Sequence, residues 1–206
     1  MNILVFSGVM TESDFATFQN EAKIKPNPSN QNFYSKLIKC LALRNNVSVI
    51  SHRPFIKGMT KDKYLDSETT VEGKIKFYYT YRESNKIYKI FKEQNEIIKT
   101  AQKAIDDFHS NDFIIITDTL RLSILKAAKK ISETYNSKIV GMLTDNPSNL
   151  SNTIKSYAVR VKRLVRTLDG YLSLTDGLTQ VFNGYKPSYV FEGLVDSPDV
   201  FKKDPV

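Results

Sequence analysis

The apolar residues of this chain fall into short continuous runs separated by longer stretches with helical spacing. Residues 111–119 contain four consecutive apolar residues closed at both ends by polar ones, the pattern of a strand buried on both faces. Similar runs at 3–6 and 138–143 predict neighbouring strands, and a helical pattern at 122–135 separates the last two. The chain is therefore expected to form an α/β, Rossmann-like fold whose mostly parallel sheet carries helices on both faces.

The same two patterns, short apolar runs and helical spacing of apolar residues, predict the remaining strands and helices. Strands are expected at 47–50, at 74–79 near an edge of the sheet, at 171–174 and at 188–191. Helices are expected from Phe33, at 85–108, at 154–168 and at 175–182, of which the helix at 85–108 is the longest and the last is stopped by Gly184. Residues 9–31 are expected to be one long loop, and loops of that length are usually functional or disordered. Residues 55–73 are expected to be a surface excursion.

Composition limits the class of protein. With 206 residues, 41% hydrophobic and 25% charged, the chain suits one globular domain spanning 1–206. No apolar run approaches the roughly 18 residues that a membrane span needs, and the start of the chain lacks the features of a secretory leader. A soluble, cytoplasmic protein is expected. The single cysteine, Cys40, excludes an internal disulfide and a multi-cysteine metal site, and its position on an apolar helix face predicts burial.

The balance of charge favours acidic partners. Thirty Lys and Arg against 22 Asp and Glu give a net charge of +8. One face of the predicted helix at 154–168 is strongly basic, which suits an anionic membrane surface or simply a solvated face, and consists of Lys155, Arg160, Lys162, Arg163 and Arg166. Nucleic-acid recognition is not expected, because no zinc-finger spacing or aromatic RNA-binding signature accompanies the charge.

Polar residues follow several of the predicted strands. Because parallel strands end on one edge of the sheet, where open α/β sheets bind ligands, these residues are the candidate site. They are Ser7, Gly8, His52, Asp118, Thr144 and Asp145. Glycine lets backbone approach a ligand closely, and the aspartates are candidates for acid–base chemistry. The alternatives are a tight turn for Gly8 and capping of the following helices for Asp118 and Asp145.

The order of motifs near the carboxyl end resembles a known family. Residues 169–175, Asp-Gly-Tyr-Leu-Ser-Leu-Thr, are followed by a short helix, by Glu-Gly-Leu-Val-Asp at 192–196 and by Phe201. This order resembles the amino-terminal half of group 1 glycosyltransferases with the GT-B fold, where an Ala-Asp-x-Val-Ile-x-x-Ser strand precedes a Pro-x-Gly-Val-Asp turn. The opening strand, the helix from Phe33 and the second strand fit the same order.

The resemblance implies an acceptor-binding domain of a hexosyltransferase-type enzyme, which transfers sugar from a nucleotide-sugar donor to a glycan or lipid-linked acceptor. It implies Asp118 and Asp145 as catalytic residues, Ser7 and Gly8 facing the donor diphosphate, and His52 and Thr144 as acceptor contacts. No metal and no cofactor besides the donor are expected. A lipid-linked acceptor would place the protein at the inner face of the membrane, with the basic helix face in contact.

Two departures from the family matter. The family commonly has His-Asp where this chain has Thr144-Asp145, which leaves the stereochemistry open. The family's donor-binding domain would begin just after Phe201, so the chain is expected to be an isolated domain that is inactive by itself. The competing hypothesis is a stand-alone binding or regulatory module that docks on anionic lipid or nucleic acid through the basic helix. A dinucleotide-binding enzyme is disfavoured because no Gly-x-Gly-x-x-Gly follows a strand.

Overall fold

The computed structural model describes residues 1–149, 154–182 and 186–191. The strands are β1 (Asn2–Ser7), β2 (Asn46–Ser51), β3 (Tyr64–Leu65), β4 (Glu68–Glu72), β5 (Ile75–Tyr79), β6 (Arg82–Glu83), β7 (Phe113–Asp118), β8 (Ile139–Leu143), β9 (Gly170–Ser173) and β10 (Ser188–Val190). The helices are α1 (Glu12–Glu21), α2 (Pro28–Ala42), α3 (Lys86–Phe91), α4 (Glu93–Asp106), α5 (Leu122–Tyr135), α6 (Lys155–Val165) and α7 (Asp176–Phe182).

Within the described residues, the main sheet has eight strands in the order β10-β9-β8-β7-β1-β2-β5-β4. All its pairings are parallel except that between β4 and β5. Strand β7 lies between β1 and β8, with Val5 opposite Ile116 and Gly141 opposite Thr117. The predicted central strand and both of its neighbours are therefore confirmed. Strands β3 and β6 form a separate antiparallel pair.

Helices cover both faces of the sheet, as the doubly buried strands predicted. In β1, Leu4 and Phe6 belong to a core cluster with residues of α4, α5, α6 and α7, while Ile3 and Val5 belong to a second cluster with α1 and α2. Successive side chains of a strand point to opposite faces, so one strand contributes to both cores. The mostly parallel α/β fold is confirmed.

The prediction of one long loop at 9–31 was wrong. Helix α1 occupies part of this stretch and α2 already begins at Pro28. The Thr11 hydroxyl accepts a hydrogen bond from the Asp14 amide at 3.1 Å and so caps α1, whose only fully buried residue is Phe15. A helix that buries so little apolar surface shows little hydrophobic period in its sequence.

The prediction of one helix at 85–108 was also wrong. Lys92, with φ −114° and ψ −30°, separates α3 from α4. Ile87 and Phe91 on α3 are 67% and 71% exposed, so the apolar stripe of α4 does not continue along α3. The longest described helix is instead α2, with 15 residues.

Two smaller expectations also failed. Cys40 is exposed, because α2 packs on the sheet through Tyr34, Leu37 and Ile38 rather than through the stripe that includes the cysteine. The excursion at 55–73 contains β3 and β4 and buries Phe55 and Met59. The turn at 192–196, Gly184 and Phe201 lie outside the described residues. No helix in the described part of the chain is long and apolar enough to cross a bilayer.

Candidate functional site

The carboxyl ends of β1, β2, β7 and β8 meet at one edge of the sheet, and two pockets open there. The first, called the edge cleft, has a volume of about 540 Å³ and is lined by Gly8, Thr144, Asp145 and parts of α1 and α2, among others. The second, called the basic pocket, has a volume of about 640 Å³ and lies against α4, α5 and α6. Arg121 and Pro54 line both pockets. This position agrees with the edge at which open α/β sheets bind ligands.

The backbone at Gly8 lies against the guanidinium of Arg121, a residue that was not predicted from the sequence. A Cβ at Gly8 would lie 2.5 Å from Nη1 of Arg121 and 3.0 Å from its Cζ, so only glycine lets the guanidinium lie against the backbone there. The φ of Gly8 is outside the left-handed region, so the close approach, and not backbone strain, requires the glycine. Nη1 of Arg121 also donates to the His52 carbonyl at 3.0 Å. The guanidinium therefore stands beside Gly8, where the donor's phosphate was expected.

Asp118 lies beneath the edge rather than in the cleft. Its side chain is buried, its Oδ1 accepts from the Leu120 amide at 2.8 Å, and its Oδ2 lies 4.0 Å from Nε of Arg121. Burial raises the pKa of Asp118, and Arg121 and the Leu120 amide oppose that rise. The arrangement suits a carboxylate that fixes the β7–α5 turn and positions Arg121.

Asp145 and Thr144 line the edge cleft together with Gly8. Both residues are half-buried, and Asp145 Oδ1 accepts from the Asn146 amide at 2.7 Å. The N-cap residues of α5 and α6 are Arg121 and Ile154, and neither helix has a side-chain cap. Neither Asp118 nor Asp145 therefore caps a helix, which was the alternative explanation for these aspartates.

Ser7 is completely buried at the end of β1. Its Oγ accepts from the Val9 amide at 3.4 Å, and its carbonyl accepts from the His52 amide at 2.7 Å. The side chain thus holds the turn that leads to Gly8. It does not line either pocket.

His52 is 1% exposed and belongs to the basic pocket. Its Nδ1 lies 2.8 Å from the Thr80 hydroxyl, and its Nε2 lies 2.9 Å from Oε1 of Glu93. A neutral ring that accepts from Thr80 at Nδ1 carries its proton on Nε2, which lies beside the Glu93 carboxylate but forms no hydrogen bond of good geometry within the described residues. Burial, reinforced by the charge of Arg82 and only partly opposed by Glu93, lowers the pKa of His52 to about 3.

Glu93 and Arg82 complete the floor of the basic pocket, and neither was singled out from the sequence. Nη2 of Arg82 lies 3.3 Å from Oε1 of Glu93, and the Arg82 guanidinium donates to the carbonyls of Arg53 and Phe55. Burial by itself would raise the pKa of Glu93, but the neighbouring ring of His52, the charge of Arg82 and the Ser123 hydroxyl together hold it below its usual value. The chain gave no local signal for this cluster, because His52 follows β2 directly whereas Arg82 comes from β6 and Glu93 from α4.

The basic face of α6 is accessible to solvent as predicted from its spacing. Lys155, Arg160, Arg163 and Arg166 are exposed and Lys162 is half-buried. Ala158, Val161 and Val165 on the opposite side are buried against the sheet. Arg160 alone of the five basic residues also lines the basic pocket.

No protein-family model matches the chain, and no curated protein matches its sequence. Among solved structures it resembles UDP-forming α,α-trehalose-phosphate synthases. The enzyme from Burkholderia vietnamiensis has a TM-score of 0.51 at 11% identity, and that from Burkholderia xenovorans in complex with glucose-6-phosphate has 0.52 at 8%. Each match covers 89% of this chain and 42% of the synthase. The Burkholderia multivorans enzyme has a TM-score of 0.50 at 12% identity.

At these identities the likeness concerns the fold. The chain spans less than half the length of the synthases that it matches, and the matched part is their amino-terminal half. These structures are not group 1 glycosyltransferases, so the resemblance inferred from the motifs is supported only at the level of the GT-B fold. The described chain therefore has the fold of one half of a GT-B glycosyltransferase.

Proposed function

We propose that this chain is the acceptor-binding half of a glycosyltransferase that moves a sugar from a nucleotide-sugar donor to a glycan or lipid-linked acceptor. The observation that carries the proposal is the edge cleft, which joins Gly8, Arg121, Thr144 and Asp145 at the carboxyl edge of a sheet with a GT-B half fold. By themselves the 206 residues are proposed to transfer no sugar, because the matched synthases are more than twice as long.

The residues of the edge cleft divide into two roles. Asp145 is a half-buried carboxylate beside Thr144, and the pair is proposed to orient an acceptor hydroxyl. Gly8 and Arg121 are proposed to face the donor diphosphate, because a guanidinium forms charge-assisted hydrogen bonds with phosphate oxygens. Asp118 is proposed as the residue that positions Arg121.

The proposed transfer needs only these groups and a donor. The acceptor oxygen forms a bond to the anomeric carbon of the sugar while the bond from that carbon to the donor's diphosphate breaks. The acceptor proton passes to a carboxylate, for which Asp145 is the proposed base, and the nucleoside diphosphate leaves with the bonding electrons. Arg121 would stabilise the negative charge that develops on the departing phosphate.

In this chain combined with the donor-binding half that the proposed transfer requires, replacing Asp145 by asparagine is expected to lower kcat about 100-fold, the lower end of the range for loss of a general base. Asparagine keeps the size of the side chain and can still accept from the Asn146 amide, so the free energy of unfolding should stay nearly unchanged. Steady-state kinetics with the native acceptor measure the effect. Asp112→Asn, at the opposite end of β7, is the matched control, and equal kinetics for both variants would refute the role of Asp145.

A second candidate function is favoured by the exposed basic face of α6. The chain would then serve as a docking module, either alone or within the enzyme. It would bind the anionic inner surface of the membrane through the basic residues of this face: Lys155, Arg160, Lys162, Arg163 and Arg166. Each basic residue near such a surface contributes about 1 kcal/mol of attraction, which falls as salt rises.

Vesicle sedimentation tests this docking. Changing Arg160, Lys162, Arg163 and Arg166 to glutamine is expected to lower binding to vesicles with phosphatidylserine at least tenfold, with little binding to neutral vesicles in either case. The matched control changes four exposed lysines outside α6 to glutamine: Lys57, Lys61, Lys63 and Lys74. An equal loss in both variants would mean that net charge, and not this face, attracts the membrane.

A further inference from the structure

The basic pocket contains more positive charge than its own acidic residue can balance. Its lining includes Arg82 from β6, Lys89 from α3, Arg121 from the β7–α5 turn, Lys126 from α5 and Arg160 from α6. The acidic residue in the lining is Glu93. Five cations from five separate parts of the chain thus surround one cavity of about 640 Å³.

Glu93 is already committed to other partners. Its Oε1 lies 2.9 Å from Nε2 of His52 and 3.3 Å from Nη2 of Arg82, and both its neighbours are buried. Even so, burial, only partly offset by Glu93, lowers the pKa of Arg82 to about 10. The Glu93 carboxylate therefore neutralises at most the positive charge of Arg82 at the floor of the pocket.

The remaining cations face the cavity without an acidic partner of their own. Within the described residues, Lys89, Lys126 and Arg160 form no ion pair with an aspartate or glutamate. Arg121 has the Asp118 carboxylate at 4.0 Å and is still about one-third exposed. Like charges gathered around one cavity repel each other, and an anion in the cavity would relieve that repulsion.

Hydrogen-bond donors accompany the charges. Arg82 is 6% exposed, and in the described part of the chain its Nε has no hydrogen-bond partner. A buried donor without a partner is costly, so a ligand oxygen that satisfies it gains free energy. The amino end of α5 also reaches the pocket through Leu122 and Ser123, which adds the positive end of a 14-residue helix.

Tyr157 makes this wall rigid. Its hydroxyl donates to the Leu120 carbonyl and accepts from the Leu122 amide, each at 3.0 Å, and so ties α6 to the start of α5. The positions of Lys126 and Arg160 relative to each other are therefore set by the packing of α5 on α6. A pre-formed arrangement of this kind lowers the entropy cost of binding.

From these observations we propose that the basic pocket binds a phosphate monoester group, held by Arg82, Lys89, Arg121, Lys126 and Arg160. Three terminal oxygens and a double negative charge match donors that converge from several sides better than a carboxylate would. The pocket is separate from the edge cleft except at Arg121 and Pro54, so this binding does not depend on sugar transfer.

Inorganic phosphate is the first probe, added to the 206-residue chain at constant ionic strength, with calorimetry and thermal unfolding as readouts. Phosphate is expected to bind and to raise Tm, whereas the same ionic strength of chloride is not. The variant Lys126→Gln/Arg160→Gln is expected to weaken phosphate binding at least tenfold, because it removes two of the five positive charges that surround the cavity.

The matched control is Lys162→Gln/Arg163→Gln, which makes the same charge change on α6 outside the pocket lining. This control is expected to bind phosphate like the unchanged chain. Equal weakening of phosphate binding in both double variants would overturn the proposal. So would failure of the unchanged chain to bind both inorganic phosphate and the lipid phosphate monoester described below. Both double variants keep the buried floor of Arg82, Glu93 and His52, so loss of folding is not expected to confuse the result.

A second probe identifies the source of the phosphate. Vesicles of phosphatidylcholine with phosphatidic acid present a phosphate monoester on a lipid, and they are compared with soluble phosphate. Lys162 and Arg163, like Arg160, belong to the face of α6 that is proposed to contact membranes, so the vesicle assay uses other variants. The pocket variant is Lys89→Gln/Lys126→Gln, and the control is Lys61→Gln/Lys74→Gln, two exposed lysines outside α6 and the pocket lining. Binding to phosphatidic acid vesicles that this pocket variant loses and this control keeps would indicate a lipid headgroup. Binding of soluble phosphate with the same pattern would indicate a soluble phosphate monoester. Binding to the vesicles that both double variants lose equally would count against the pocket.

Discussion

Replacing Glu93 by glutamine is expected to lower the free energy of unfolding by about 3–5 kcal/mol, the cost of breaking a buried ion pair from one side. The side chain of Glu93 is 11% exposed and that of Arg82 is 7% exposed. Glutamine has nearly the same shape but no charge, so the Arg82 guanidinium would stay buried without its counter-ion. Urea unfolding at pH 7 measures the change from the midpoint at constant m-value.

Glu96→Gln is the control for this prediction. Glu96 lies one turn further along α4 and pairs with Lys99 at 3.1 Å, but the Lys99 side chain is 69% exposed. Ion pairs of this kind between neighbouring helix turns contribute about 0.3–0.5 kcal/mol, so this variant should be nearly as stable as the unchanged chain. Similar small losses for both variants would show that the Glu93 cluster contributes little to folding.

The sheet was predictable because its central strands are buried on both faces. Four consecutive apolar residues at 113–116 between polar ends favoured a strand buried on both faces, and the predicted neighbours β1 and β8 do pair with β7. Helix α1 and the break at Lys92 were not predictable. Helix α1 buries little, and the break arises where α4 turns onto the sheet while α3 exposes Ile87 and Phe91.

The candidate site was predictable as a place but not as a set of residues. The ends of parallel strands located the edge cleft, and Gly8, Thr144 and Asp145 line it. Arg121 is three residues past Asp118 in the same turn, so a search for cations near strand ends would have found it. Glu93 approaches His52 because α4 packs against β2, and Arg82 does so because its guanidinium reaches the carbonyls of Arg53 and Phe55. Such long-range contacts leave no trace in local sequence.

The stability of the chain is expected to fall by about 2 kcal/mol from pH 7 to pH 5 through His52 alone. In the unfolded chain a histidine has a pKa near 6.5, whereas in the folded chain burial and Arg82 lower the pKa of His52 to about 3. Between these values the unfolded chain binds the additional proton. The contribution of His52 is therefore complete above about pH 6.5 and is lost progressively as the pH falls towards 3, at about 1.4 kcal/mol per pH unit.

The variant His52→Gln isolates this contribution, because glutamine is polar and of similar size but does not titrate. The groups that face His52 are Glu93 from α4, Arg82 from β6, Arg121 before α5 and the Thr80 hydroxyl, and all remain in the variant. Glu93, whose folded pKa is lowered, loses its own contribution below about pH 4.5, so measurements between pH 5 and 7 separate the two groups. Burial raises the pKa of Asp118, so protonation of this carboxyl favours the folded chain as the pH falls, but it does so equally in both proteins.

Urea unfolding at pH 7, 6 and 5 should give a fall in stability for the unchanged chain that is about 2 kcal/mol larger than for His52→Gln. Parallel curves for the two proteins would mean that His52 takes up its proton in the folded chain, and that the ring is charged beside Glu93.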